Sequence, residues 1–295
     1  MFDIASILGP AYPAPLTVLD IGAMVGSGLP PGVDINQRTG QSRYRVLGFE
    51  PQPEECERVN AAGMPGFRCL PHALGDGRER PFYVNVSRPT SSLLAPNPSV
   101  CDRFQELSQL MRAERVMPVQ TRRLDDLPEL GRVDMIKIDT QGAELMIFQH
   151  GPRVLADALV VRTEVSFVPF YLDQPLFADV DAHLRASGFA FHCFVEMAGR
   201  AFRPTLLDSN PAIALRQVLW ADAWYVRDFT RLEELSPEAL LRLAVVVHDH
   251  LQSHDLVLLV LREADRRGGS AFAERYFQAF RERGRSLGID VAMDA

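Results

Sequence analysis

The chain has 295 residues, room for one large domain or a domain with a small appendage, and 47% of them are hydrophobic, so a sizeable core can form. Its 31 Lys and Arg stand against 38 Asp and Glu, a net charge of -7 with no basic run, which argues against nucleic acid as a main partner. The four cysteines, Cys56, Cys69, Cys101 and Cys193, are scattered with no C-x-x-C pair, so neither a zinc site nor a redox dithiol is expected. The thiols read as free in a reducing cytosol. Residues 1–16 lack a positive n-region and hold three prolines, unlike a signal peptide. No apolar run approaches the ~20 residues of a membrane span. A cytoplasmic protein is therefore expected.

In chain order, Met1 to Leu8 reads as a short helix stopped by Gly9-Pro10. Thr17 to Ile21 is a short buried strand, followed by a glycine-bearing turn with Gly22, Gly26 and Gly28. Leu29 to Arg43 reads as a polar insertion. Arg45 to Glu50 is a second strand ending on an acid, and Pro51 to Ala62 a helix behind it. Phe67 to Leu70 gives a third strand and Arg80 to Val86 a further extended segment. Ser87 to Val100, rich in Pro and Ser, reads as a long loop, and such loops in compact domains are usually functional or disordered. Val116 to Leu130 holds one more extended piece. Val133 to Ile138 is a buried strand that puts Asp139 at its end, and its helix, Ala143 to His150, stops at Gly151-Pro152. Leu159 to Val165 is the next strand, Val180 to Ser187 a helix, and Phe189–Glu196 with Arg216–Arg227 two longer strands. The alternation predicts a parallel α/β sheet with crossover helices to about residue 190. From Ser236 the pattern turns helical, giving a domain over residues 1–229 and a C-terminal helical extension over 230–295.

Two features suggest a site. Lys137 and Asp139 stand within two positions of each other beside an apolar run, and buried charges are costly unless paired or used. Ligands of parallel sheets sit at the carboxyl ends of strands. The turn after Asp20 lets backbone approach a ligand, and Glu50 is placed to hold ribose hydroxyls. Together they suggest a nucleoside-containing ligand. The order Gly22, Gly26, Gly28 departs from G-x-G-x-x-G, which disfavours a dinucleotide.

With these pieces in place, the chain resembles the FkbM family of S-adenosylmethionine-dependent O-methyltransferases. The likeness rests on Leu19-Asp-Ile-Gly-Ala-Met-Val-Gly26, Gly48-Phe-Glu-Pro51, Ala73-Leu-Gly-Asp76, Thr90-Ser-Ser-Leu93 and above all Ile136-Lys-Ile-Asp-Thr-Gln-Gly-Ala-Glu-Leu145. Arg162-Thr-Glu-Val165, Pro169-Phe-Tyr171 and Gly188-Phe189 continue it, over roughly residues 16 to 228. The resemblance implies a Rossmann-like class I methyltransferase fold, a seven-stranded mostly parallel sheet whose last strand runs antiparallel. It implies methyl transfer to a hydroxyl of a carbohydrate, polysaccharide or secondary metabolite. It does not account for the segment 29–43 or for the helical tail.

On that reading S-adenosylmethionine is the cofactor. Asp20, Gly22, Ala23 and Gly26 would bind its methionine part, Glu50 its ribose, and His72, Ala73 and Leu74 would flank its adenine. Asp139 could contact the cofactor amino group, bind the acceptor or act as base. Glu164 and Lys137 are the other catalytic candidates, with Lys137 open to a plainer role as partner of Asp139 or Glu164. Ser91, Ser92 and Gln141 are candidates for the acceptor side. Acids at adjacent strand ends could hold Mg²⁺, but spacing identifies no third ligand, so no metal is assigned. Glu144 could be catalytic or could complement the helix dipole. His248, His250 and His254 do not share one helical face, so a metal site is not expected there. The stripe Leu240, Leu241, Leu243 and Val247 could form a homodimer face or pack on the chain's own helices. Two other functions stay open, a nicotinamide-dependent oxidoreductase and a non-catalytic partner-binding protein.

Overall fold

The computed structural model describes residues 2–22 and 29–292. Helix α1 (Ile4–Leu8) starts at Asp3, whose carboxylate accepts the Ala5 amide. Strand β1 (Leu16–Ile21) follows, buried at every residue. The segment 29–43, expected as an insertion, carries helix α2 (Val33–Thr39) instead. Its polar letters concealed it, because one of them is part of the core: Asn36 is buried and clasps both the amide and the carbonyl of Tyr44, at 2.9 and 2.7 Å.

Strand β2 (Tyr44–Phe49), helix α3 (Pro53–Ala61) and strand β3 (Phe67–Leu70) complete the first half of the sheet. Strands β4 (Ala73–Leu74) and β5 (Glu79–Asn85), helices α4 (Pro98–Cys101) and α5 (Leu107–Leu110), and strand β6 (Ala113–Arg122) come next. The second half holds β7 (Met135–Ile138), α6 (Glu144–Gln149), α7 (Pro152–Asp157), β8 (Val160–Ser166), α8 (Phe177–Ala186), β9 (Phe189–Ala198) and β10 (Trp220–Arg227). Gly151-Pro152, read as a stop, is also a start: Pro152 stands in the first turn of α7, where its missing N–H costs nothing. The tail forms α9 (Pro237–Val246), one π turn (Val247–Leu251), α10 (His254–Gly268) and α11 (Phe272–Ser286). Among the described residues no helix is long and apolar enough to cross a membrane.

The main sheet has seven strands in the order β3-β2-β1-β7-β8-β10-β9. It is parallel except for β10, which runs antiparallel to both neighbours. This is the class I methyltransferase architecture, with C-terminal helices added. Alternation divides the strands between two cores. On one face Leu16, Val18, Val46, Met135 and Val160 pack with Leu240, Leu243, Val247, Val257 and Leu261. On the other, Leu19, Leu47, Ile136 and Val161 meet Ile147, Phe148 and Leu184. The tail helices therefore lie directly on the sheet. Of the stripe considered for a dimer face, Leu240, Leu243 and Val247 are wholly buried inside the chain.

A third, smaller core builds a lobe that the chain order hid. Cys101, Phe104, Leu107, Met111, Phe170, Tyr171 and Leu219 pack together from three separate segments. The lobe includes the small sheet β4-β6-β5. The long loop expected over 87–100 is part of it: Tyr83 and Ser92 exchange both backbone hydrogen bonds, at 2.8 and 3.1 Å.

The tail is tied to the sheet by charge as well. Asp134, 1% exposed, accepts from the Thr17 amide at 2.7 Å and from the Arg242 guanidinium of α9 at 2.9 Å. Tyr44 donates to Asp249 of the π turn at 2.7 Å. Asp134→Ala leaves the buried Thr17 amide without its acceptor, while Arg242 keeps Glu238 at 3.0 Å, and is expected to cost about 2 kcal/mol, within the range for stranding a buried donor. Arg132→Ala, whose side chain is 37% exposed and 3.7 Å from the same carboxylate, is expected to cost under about 1 kcal/mol. Urea unfolding of the two variants measures the contrast.

Candidate functional site

Strands β1 and β7 are parallel neighbours, with Ile21 beside Ile138, so the chain leaves both at the same height. The Asp139 amide donates to the Ile21 carbonyl at 3.0 Å. Gly22 then turns with φ +85, and a Cβ there would stand 2.0 Å from the Asp139 carbonyl oxygen. Only glycine fits this crossing. Ala23, Gly26 and Gly28, the rest of the expected turn, lie outside the described residues.

Lys137 does not pair with Asp139 or Glu164. It lies 3.2 Å from Asp20, its register partner on β1. Burial works to strip its proton, but the Asp20 and Asp139 carboxylates outweigh that and hold its pKa above the usual lysine range. One strand further, Arg162 meets Asp222 at 2.5 Å and Glu196 at 2.9 Å. Lys137 with Asp20 and Arg162 with Asp222 thus pair charges across four adjacent strands, and Arg162 reaches a third acid, Glu196, on β9.

The turn after β7 holds the central contacts. Gln141 has φ +58, a left-handed conformation unusual outside glycine and asparagine, and Gly142 follows at φ +100. Glu144 fixes this shape. Its buried carboxylate accepts from the Thr140 amide at 2.7 Å and the Gly142 amide at 2.9 Å. Its role is to close the turn, which joins the two readings the sequence left open only on the structural side. Burial first, and then Asp139, push its pKa up to about 7 against those hydrogen bonds.

So held, Gln141 places its side-chain amide between two acids. Nε2 donates to Asp139 at 2.7 Å and to Glu164, from the end of β8, at 2.9 Å. Burial and the facing Asp139 drive the Glu164 pKa well above the ordinary carboxylate range. On the other side Tyr171 donates its hydroxyl to the Thr90 carbonyl at 2.7 Å and lies 3.0 Å from Gln141 Oε1. Ser92 donates to the Gln141 carbonyl at 2.7 Å. A cation between Asp139 and Glu164 would have to displace the Gln141 amide. Among the described residues no group of three or more His, Cys, Asp or Glu could hold a metal.

Glu50 ends β2 and is 6% exposed, with one oxygen accepting the Gln52 amide at 3.0 Å and burial raising its pKa. Ala73 and Leu74 are buried in β4, and His72 lies 3.6 Å from Glu129. Ser91 accepts the Asn85 amide at 3.1 Å, and Ser92 is 1% exposed. Ser92 thus joins the lobe to the turn, while Ser91, half-buried, holds the end of β5. Sequence reading missed the clamp formed by Tyr171, Thr90 and Gln141. Tyr171 stood in the Pro-Phe-Tyr match, but nothing in its spacing shows that it reaches Gln141.

The family model described as Methyltransferase FkbM domain matches residues 20–191. No curated protein matches the sequence. Among solved structures, magnesium protoporphyrin IX methyltransferase from Synechocystis PCC 6803 with bound SAM is similar at 14% identity over 76% of each chain, with a TM-score of 0.36. The 16S rRNA (adenine(1408)-N(1))-methyltransferase from Catenulisporales acidiphilia is similar at 10% identity over 77% of this chain and 94% of that one, with a TM-score of 0.33.

Glu144 gives the site a pH signature. Its carboxyl titrates near ~4.3 in an unfolded chain and at about 7 when folded. Between those values the folded state binds the extra proton, so its stabilising effect is present at low pH and is lost as pH rises through 7. Urea unfolding between about pH 5 and 8 should show the wild type losing up to about 3 kcal/mol with rising pH, and Glu144→Gln a flatter curve.

Proposed function

The chain belongs to the FkbM methyltransferase family and is an S-adenosylmethionine-dependent methyltransferase, and from that premise we propose that it methylates a hydroxyl whose proton passes to the pair Asp139 and Glu164. The observation that carries this reading is the Gln141 clamp, which fixes two carboxylates from adjacent strand ends on one amide. The oxidoreductase and non-catalytic readings give way to the family.

Bound S-adenosylmethionine supplies a methyl already activated on a sulfonium, so the chain's task is to hold the acceptor in line and receive its proton. Glu50 takes the ribose hydroxyls with its buried carboxylate, a pair of charge-assisted bonds. The backbone at Asp20 and Gly22 meets the methionine end, and the buried Ala73 and Leu74 flank the base. His72, tied to Glu129, forms the edge of that pocket.

At the acceptor side, Glu164 shares the Gln141 amide with Asp139, and burial and that facing acid raise its affinity for a proton. A carboxyl pushed upward by burial and a facing acid is better matched to an alcohol's proton than an ordinary one. Lys137, paired with Asp20, lowers the proton affinity of Glu164 but is outweighed by burial and the facing acids. The lobe over the strand ends keeps water from the acceptor. Hydroxyls of carbohydrates or secondary metabolites are the acceptors this supports.

Calorimetric titration with S-adenosylmethionine tests the premise, and no binding at high micromolar cofactor would refute it. Glu50→Ala is expected to weaken cofactor binding by about 100-fold, the loss of two charge-assisted hydrogen bonds. Glu164→Gln is expected to keep S-adenosylhomocysteine affinity while lowering kcat about 100-fold or more. An unchanged kcat would remove Glu164 from the proton path.

A further inference from the structure

We propose that the acceptor carries an anionic group, a carboxylate or phosphate, seated on Arg88 and Arg115 at the rim of the cleft. This rests on the methyltransferase reading above and names the substrate class of the same site. A hollow of 330 Å³ is lined by Gln52, Val84, Arg88, Glu114 and Arg115. Two of its lining residues are chain neighbours of the candidate site. Gln52 binds Glu50 through its amide, at 3.0 Å. Arg88 opens the short turn Arg88–Thr90, whose Thr90 carbonyl takes the Tyr171 hydroxyl beside Gln141.

The two arginines are differently held. Arg88 donates to the Asn85 carbonyl at 2.7 Å and pairs with Glu114 at 3.0 Å, so it is fixed in place. Arg115 stands on β6 opposite Val84, is exposed, and has no ion-pair partner among the described residues. A fixed guanidinium and a second without a carboxylate of its own make a receptor for a planar or tetrahedral anion.

Charge distribution supports the same reading. Residues 76–123 carry eight arginines against five acids, and residues 199–219 carry three against Asp208 alone. That local surplus of five stands in a chain of net charge -7. The lobe is therefore the basic part of an acidic protein, and its Ser92 and Tyr171 touch the Gln141 turn that follows β7. Asp102, Glu106 and Glu114 interrupt its arginines, so it presents a discrete receptor instead of a stripe that would track a polymer's phosphates.

Orientation follows from repulsion as well as attraction. Asp139, with Glu164 beside it, disfavours an anion at the centre of the site, whereas Arg88 and Arg115 favour one at the rim. An acceptor with a charged end and a hydroxyl end can then enter only with the hydroxyl toward the carboxylates.

The test uses the full-length chain saturated with S-adenosylhomocysteine and ligand-observed NMR titrations with glucuronate, glucose 6-phosphate and glucose. At least one of the two anions is expected to bind, with glucose weaker by about tenfold or more, and which anion binds tells carboxylate from phosphate. Arg115→Ala should weaken that binding by about tenfold while leaving S-adenosylhomocysteine affinity unchanged, and Arg115→Lys should recover part of it. Glucose binding as well as the anions, neither anion binding, or indifference to Arg115→Ala would overturn the inference alone. Failure of the wild type to bind S-adenosylhomocysteine would overturn the premise and the inference with it.

Discussion

The backbone contact between Gly22 and Asp139 is the constraint on which the site depends. Two neighbouring strands end at the same height, and the chain leaving one passes against the carbonyl of the other with no room for a side chain. The Asp139 amide is consumed by Ile21, so the direction of Asp139 is set by sheet pairing and not by a mobile loop. The next turn must then reverse within three residues, which brings Gln141 into the left-handed region. A glutamine there costs of order 1 kcal/mol or more in backbone strain, offset by Glu144, Ser92 and Tyr171, each of which holds one part of it.

Charge is arranged around that contact in two tiers. The lower tier, within the strands, is neutralised pairwise: Lys137 with Asp20 and Arg162 with Asp222. The upper tier, at the strand ends, is left acidic, with Asp139 and Glu164 sharing one neutral amide. Because Lys137 has its own carboxylate, it lowers the upper tier's proton affinity less than a free ammonium would. The two tiers explain how basic residues can lie close to Glu164 while its affinity for protons is nonetheless raised.

The sequence made the main sheet legible because its strands are short apolar runs bounded by glycine, proline and acids. Asp139 and Glu50 could be placed at strand ends for the same reason. What stayed hidden depends on contacts between residues far apart in the chain. Lys137 was assigned to acids near it along β7 and β8, yet register against β1 gave it Asp20, more than a hundred residues away. Helix α2 was missed because a buried asparagine reads as polar when its partner, the Tyr44 backbone, is not in view. The lobe was missed because its core draws on three segments, none of which is periodic by itself. The contact of Ser92 with the Gln141 carbonyl was hidden in the same way, since the two residues lie almost fifty positions apart.

The tail helices complete a face that begins with β1. Val18 is made more than two hundred residues before Leu240 and Val257, which cover the same core. At about 5–20 residues per second, the roughly 200 residues between them take on the order of tens of seconds to synthesise. For that interval one side of the growing sheet is an uncovered hydrophobic surface while the other side, closed by Ile147, Phe148 and Leu184, is already available. Until α9 and α10 are made that surface stays exposed, and truncation before them leaves it open to aggregation.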